Sequence, residues 1–248
     1  MRMITLGTGH GNFTATRYKS ATLFEIEGRL YLLDCGSPAA ASLTRLGIPC
    51  RDLRAVFITH MHLDHVGGLP DLLYAIIRYP VAGQHADIYL AENRTAELYG
   101  FMHSMHLSEH PEYLDFRTVT PGRIFDDGVL AVTALPTDHI AGRPGEGPIT
   151  FAYLLEAEGK RILCSGDLRH DFADFPAGCD ADILMCEATH YRPERALEVF
   201  RTKAYKRLIF NHVHDPWHGE EGEKKLLSYY EDLPYPVEIA HDGDEFIL

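Results

Sequence analysis

The sequence predicts an α/β protein in which two β-sheets pack face to face with helices outside them. Three observations carry this reading. Short apolar, strand-like runs recur in both halves of the chain, and helical stretches lie between them. No linker-like stretch divides the halves, so residues 1–248 are expected to form a single domain. Several of the apolar runs end in histidine or aspartate, which places metal-capable side chains where strands leave the core.

In order, strands are expected at 2–6, 21–26 and 29–34, the last two split by Glu27-Gly28, a hairpin signal. Ser37-Pro38 supplies an N-cap and first turn for a helix over Ala39–Leu46. The β-branched run Ala55–Thr59 is the next strand, and Pro70-Asp71 opens an apolar helix carrying Leu72, Leu73, Ala75, Ile76 and Ile77. Asp87–Leu90 reads as a strand and 92–106 as a helix. In the second half Val129–Leu135, Ile149–Leu155, Arg161–Cys164 and Asp182–Cys186 read as strands. A helix over Glu194–Tyr205, a strand at Leu208–Phe210 and a helix over Glu220–Tyr230 follow. Val237–Ala240 and Phe246–Leu248 close the chain, and the Gly/Pro-rich segment 141–148 is a loop.

Composition sets limits on function. With 46% hydrophobic and 24% charged residues over 248 positions, the chain has an ordinary globular balance and room for a sizeable core. A formal charge of −13 excludes bulk attraction to nucleic acid or to an anionic membrane surface. No apolar run approaches the ~20 residues of a membrane span. Met1–Leu6 reads as a strand rather than as a signal peptide, which points to the cytoplasm. The five cysteines are odd in number and lack a C-x-x-C spacing, so reduced and mostly buried thiols are expected.

Residues 60–65, His-Met-His-Leu-Asp-His, carry the most functional information. A strand precedes them and Val66-Gly67-Gly68 follows. Three imidazoles and a carboxylate this close together need partners, and imidazole with carboxylate suits a hydrolytic metal site. Three other strand ends carry further ligands: His139 after Leu135-Pro136-Thr137-Asp138, Asp167 after Cys164-Ser165-Gly166, and His212 after Phe210-Asn211. The seven residues divide into two adjacent sites. His60, His62 and His139 form one; Asp64, His65 and His212 form the other; Asp167 bridges them, because a carboxylate has two oxygens to share. Metals ~3.5–4 Å apart can hold a bridging hydroxide and clamp a leaving oxyanion. Zinc is the first choice, with manganese and iron also compatible. His214 competes with His212, which is preferred because it directly follows the apolar run.

The hexapeptide matches the H-x-H-x-D-H signature of the metallo-β-lactamase superfamily, and His139, Asp167 and His212 match its later ligand motifs in order. Leu32-Leu33-Asp34-Cys35-Gly36 resembles its first motif, in which the aspartate supports the ligands by hydrogen bonds. The resemblance implies the four-layer αββα sandwich of that superfamily. Aspartate rather than cysteine at position 167 argues against lactamase activity, and histidine rather than glutamate at 62 argues against the flavodiiron oxidoreductases. Leu6-Gly7-Thr8-Gly9, Arg17, Ser20 and Glu187-Ala188-Thr189 resemble the tRNA 3′-processing endonuclease (RNase Z) branch and its small phosphodiesterase relatives. Two departures matter. Cys186 stands where that branch has a histidine used in proton transfer, and the interval from His139 to Asp167 is too short for the arm that grips tRNA.

The expectation is therefore a dinuclear metal hydrolase acting on a small phosphodiester, cyclic ones included, through a metal-bridging hydroxide. A lactone or thioester hydrolase is the alternative, and a tRNA endonuclease is disfavoured by the departures and the charge. Asp64 ligates metal and can orient the nucleophile. His190, four residues beyond Cys186, is the candidate proton donor, because a buried thiol is a poor acid. His10 reads as a loop histidine, and His103, His106 and His110 as a solvated face. By analogy with RNase Z-like proteins, a homodimer is expected.

Overall fold

A computed structural model of the chain describes residues 1–78, 80–142 and 147–248. Fourteen strands and six α-helices are defined among them. Strands β1 (Arg2–Gly7), β2 (Ala21–Ile26), β3 (Arg29–Leu33), β4 (Leu53–Phe57), β5 (Ala86–Leu90) and β6 (Leu114–Thr118) belong to one sheet, joined by β14 (Glu245–Ile247). Its order is β14-β1-β2-β3-β4-β5-β6. The second sheet holds β7 (Gly122–Asp126), β8 (Ala131–Pro136), β9 (Phe151–Ala157), β10 (Lys160–Cys164), β11 (Ile183–Ala188), β12 (Arg207–Val213) and β13 (Val237–Ile239), ordered β13-β12-β11-β10-β9-β8-β7.

Each sheet is antiparallel on one side and parallel on the other: β3 to β6, and β10 to β13, run parallel. Parallel neighbours need crossovers, and helices supply all of them except that from β10 to β11, a helix-free loop. The helices are α1 (Ala39–Arg45), α2 (Leu63–Val66), α3 (Leu69–Arg78), α4 (Thr95–Ser104), α5 (Pro193–Phe200) and α6 (Gly219–Ser228). Alternate faces of each sheet are apolar, which gives three cores. Phe24, Tyr31 and Phe57 meet Phe151, Tyr153 and Ile209 between the sheets. Leu32, Val56 and Ile88 pack under Leu43, Leu72 and Ile76 of α1 and α3. Leu184, Leu208 and Phe210 pack under Ala196, Phe200 and Leu226 of α5 and α6. The result is the expected αββα sandwich.

Several expectations need correction. Strands β6 and β7 were not expected. Both are edge strands with partly exposed, polar residues (Leu114-Asp115-Phe116-Arg117-Thr118 and Gly122-Arg123-Ile124-Phe125-Asp126), so their alternation is weak. The helix expected to 205 ends at Phe200, and Tyr205 packs instead against Tyr235. The 92–106 helix begins only at Thr95. The hexapeptide is not a plain turn, because Leu63–Val66 forms the short helix α2. Of the expected loop 141–148, residues 143–146 lie outside the described residues.

Candidate metal centre

All seven candidate ligands lie at the same pole of the sandwich. Beyond β4 the chain runs through Ile58 and Thr59 to His60; His62 starts α2, which carries Asp64 and His65. His139 lies three residues past β8, Asp167 three past β10, and His212 within the last turn of β12. Two non-glycine residues here hold left-handed backbone, Asp34 (φ 56°) and His212 (φ 48°), a conformation uncommon for residues with a side chain. Close approach also fixes two glycines. A Cβ on Gly36 would sit 2.3 Å from the Asp64 carbonyl oxygen, and one on Gly166 would sit 2.7 Å from that of Phe151.

The side chains form two groups that share Asp167: His60, His62, His139 and Asp167, and Asp64, His65, Asp167 and His212. In the second group every residue is buried, whereas His62 in the first is exposed. His60 Nε2, His139 Nε2 and His212 Nε2 lie 3.6, 3.7 and 3.6 Å from Asp167 Oδ2, and His65 Nε2 lies 3.4 Å from Asp167 Oδ1. Asp64 Oδ2 lies 3.1 Å from His212 Nε2 and 3.5 Å from His65 Nε2.

The other ring nitrogens explain this arrangement. His139 Nδ1 donates to the Leu168 carbonyl at 3.2 Å and His65 Nδ1 to Asp34 Oδ2 at 2.8 Å. The Thr189 hydroxyl donates to the His212 carbonyl, so at 3.1 Å it accepts from His212 Nδ1. The Thr59 hydroxyl donates to Asp34 at 3.0 Å, so at 3.1 Å it accepts from His60 Nδ1. Four imidazoles thereby turn their Nε2 lone pairs toward one carboxylate. The outer hydrogen bonds are those that orient metal-bound histidines. His65 Nε2 and Asp167 Oδ1 are both buried without a hydrogen-bond partner. Such orphaned acceptors are costly unless a cation lies among them, and the donor set of imidazole with carboxylate fits divalent metal.

Electrostatics divide the rings: burial disfavours a charged His65, but the Asp167 and Asp34 carboxylates outweigh it and raise its pKa well above the ordinary value, so a bound cation would displace the proton on its Nε2. Burial, and then the His65 charge, holds the His60 ring well below its ordinary pKa, so it is neutral and able to ligate. Burial opposes ionisation of Asp64, but protons on the Nε2 atoms of His212 and His65 outweigh it and lower its pKa, and a bound cation would take the place of those protons. Asp167 is likewise held below the ordinary carboxylate range against its burial, by His212 and then His65.

His190 lies above both groups, its ring centroid 4.5 Å from that of His139 and 5.5 Å from that of His212. Its Nδ1 donates to Glu187 Oε2 at 2.9 Å. Burial works against protonation, but the Glu187 hydrogen bond and charge outweigh it and push the ring up to about 9. Cys186 is fully buried against Tyr191, and burial pushes its thiol up to about 12.

Sequence reasoning missed Thr59, Thr189 and Glu187 as the groups that orient the rings. Glu187 and Thr189 lie within the Glu187-Ala188-Thr189 motif and Thr59 directly precedes the hexapeptide, but nothing in the local sequence says which ring a hydroxyl or carboxylate will meet. Arg17 is buried and ties the first loop to the C-terminal segment through Glu223 and the Ala240 carbonyl, well within the fold. His10 was read as a plain loop histidine, yet it is only 4% exposed and lies beside His214. His103, His106 and His110 lie outside the centre, on largely exposed backbone.

Comparison with known proteins decides the family. A model described as "Anti-Pycsar protein Apyc1" matches residues 1–214. The Anti-Pycsar protein Apyc1 of Saccharibacillus brassicae is 32% identical over 98% of this chain and 90% of its own length. The chain belongs to the Anti-Pycsar Apyc1 family. It is also similar to a ribonuclease Z of Listeria monocytogenes, at 26% identity over 98% of this chain and 97% of that protein. Among solved structures, the metallo-β-lactamase fold protein YhfI of Bacillus subtilis superposes with a TM-score of 0.78 at 20% identity, covering 99% of both chains. Human tRNase Z, short form, gives 0.74 at 24% identity, covering 100% and 99%. These two establish the metallo-β-lactamase fold, and the family places the chain among metal-dependent hydrolases. Among the described residues, no helix is long and apolar enough to cross a membrane.

Proposed function

We propose that the chain is a dinuclear metal phosphodiesterase for a small, cyclic phosphodiester such as a cyclic nucleotide. The observation that supports this most is the convergence of four oriented imidazole lone pairs on Asp167, with His190 held beside them by Glu187. His60, His62, His139 and Asp167 would hold one ion, and Asp64, His65, His212 and Asp167 the other. Zinc is the first candidate for this His-rich set. When bound, two such ions supply Lewis acidity at the phosphoryl oxygens and lower the pKa of water.

The protein groups do the rest. Asp34 and Thr59 hold the hexapeptide rings, so the ligands need not reorganise when charge develops. The Glu187 carboxylate fixes His190 with Nδ1 as its donor, which leaves Nε2–H available to the leaving alkoxide. Cys186, at the position of the RNase Z histidine, is sealed in the core, and His190 takes its role. The −13 charge and the compact 139–167 interval favour a small substrate over tRNA. The alignment to the Listeria ribonuclease Z runs to 306 positions against 248 residues here, consistent with segments that this chain lacks.

The test is hydrolysis of a cyclic nucleotide panel and bis-p-nitrophenyl phosphate beside a simple lactone and a thioester. Phosphodiester cleavage, lost on chelation and restored by zinc, manganese or iron, is expected. Turnover of the lactone or thioester alone would overturn the phosphodiester reading and leave the carbonyl one.

A further inference from the structure

A second cluster of metal-capable side chains lies beside the centre but outside it. The loop after β1 is pinned to the end of β12: Val213 N–H donates to the Thr8 carbonyl at 2.8 Å, and Gly9 bridges Val213. This brings His10 against the segment His214-Asp215-Pro216-Trp217-His218. The rings of His10 and His214 meet edge-on with centroids 4.9 Å apart. His10 Nε2 lies 3.4 Å from Asp215 Oδ2. One ligand atom from each of His10, His214 and Asp215 falls within 4.8 Å of the others.

The hydrogen-bond pattern is what singles out this cluster. His10 is 4% exposed, and neither of its ring nitrogens has a hydrogen-bond partner. His214 Nδ1 is also buried and unpartnered. Three orphaned nitrogens around a carboxylate are costly, because neutral imidazole needs a donor and an acceptor partner. His218 packs beside the cluster, its ring centroid 6.0 Å from that of His10, without joining the group of mutually close ligand atoms. Its Nε2 donates to the Val213 carbonyl at 2.8 Å, which leaves Nδ1 as the free lone pair, 3.8 Å from Asp215 Oδ1. Two ligands on one tetrahedral zinc ion, each about 2.0–2.1 Å from it, lie roughly 3.3 Å apart. The His10–Asp215 separation matches that spacing.

We propose that His10, His214 and Asp215 bind a third divalent metal ion of the zinc class. This ion is distinct from the two at Asp167, since no residue is shared between the clusters. Its role is to tie the first loop to the segment after β12. That tie joins residues some two hundred positions apart and closes a long loop, where a cross-link removes much unfolded-state entropy. Gly11, next to His10, faces Asp64, and a Cβ there would lie 3.5 Å from Asp64 Oδ2. The tie therefore also fixes the backbone beside the catalytic centre.

The experiment is metal counting by elemental mass spectrometry after equilibration with zinc and desalting, on wild type, His10→Ala, Asp215→Asn and Asp167→Ala. Three zinc ions per chain in wild type, two in His10→Ala and Asp215→Asn, and one in Asp167→Ala are expected. Two ions in wild type, unchanged in His10→Ala and Asp215→Asn, would overturn the third site and leave the Asp167 pair standing. One ion in wild type, lost in Asp215→Asn and kept in Asp167→Ala, would support the third site and overturn the pair. Asp215 is half-exposed, so Asp215→Asn keeps the test sound should His10→Ala fail to fold. As a second readout, zinc should raise the melting temperature of Asp167→Ala, and adding Asp215→Asn should abolish that rise.

Discussion

Two buried aspartates sit at opposite poles of the sandwich and have opposite fates. Asp127, between β7 and β8, has a side chain 7% exposed, and both of its oxygens are satisfied. Oδ1 accepts from the Val129 and Leu130 N–H groups, each at 3.0 Å, and Oδ2 from Arg29 and the Tyr31 hydroxyl, each at 2.8 Å. Asp167 is 3% exposed, is ringed by imidazoles at 3.4–3.7 Å, and has an oxygen with no hydrogen-bond partner. Burial of a carboxylate is therefore not itself a functional signal. The signal is burial with unmet acceptors among other unmet acceptors, because a purely structural site would have closed those gaps.

Breaking each aspartate should separate the two poles. Asp167→Ala should lower kcat/KM by more than about 10³-fold, beyond the cost of losing one electrostatic contact, and should strip both ions of the centre. Retained activity would remove Asp167 from the centre. His190→Ala should cost on the order of 10²-fold on alkyl phosphodiesters and far less on bis-p-nitrophenyl phosphate, whose leaving group needs no proton. Equal losses on both would end its role as proton donor. Asp34→Asn should weaken metal affinity by about 10–100-fold, read by titration against a chelator, with kcat nearly intact at saturating metal.

The structural pole should respond in the other currency. Asp127→Ala should lower stability by about 3 kcal/mol, since it orphans two buried N–H groups and a phenol, while metal content and kcat stay at wild-type values. The smallest effect is in pH. Burial opposes ionisation of Asp127, but the Leu130 N–H and Arg29 outweigh it and hold the group at about 2. A depressed carboxylate stabilises the fold fully above its unfolded value of about 3.9 and loses that contribution as pH falls toward 2. Between those values wild type should lose stability more steeply than Asp127→Asn, as followed by urea denaturation.

The same contrast explains what was legible in the sequence. The hexapeptide, His139, Asp167 and His212 were readable because these residues cluster at the ends of apolar runs, and the strands that carry all but His139 are strongly buried. The edge strands β6 and β7 were not, because half-exposed edges carry little periodicity. Asp127 was invisible beforehand, since a carboxylate before a turn looks the same whether it faces water or four donors. His10 was misjudged for a related reason. Burial of its ring depends on the pairing of Gly9 with Val213, a contact between distant segments that local sequence does not encode.

The left-handed backbone at Asp34 bears on how this lineage can decay. A change to glycine there would relax the main chain while deleting the carboxylate that steadies Thr59 and His65. Such a variant would leave the Thr59 N–H and His65 Nδ1 unpartnered, offset in part by the relaxed backbone, and would be selectively invisible wherever the reaction is no longer needed. Silent descendants of this protein should therefore be sought first at position 34, among chains that keep every metal ligand and have lost the residue that aligns them.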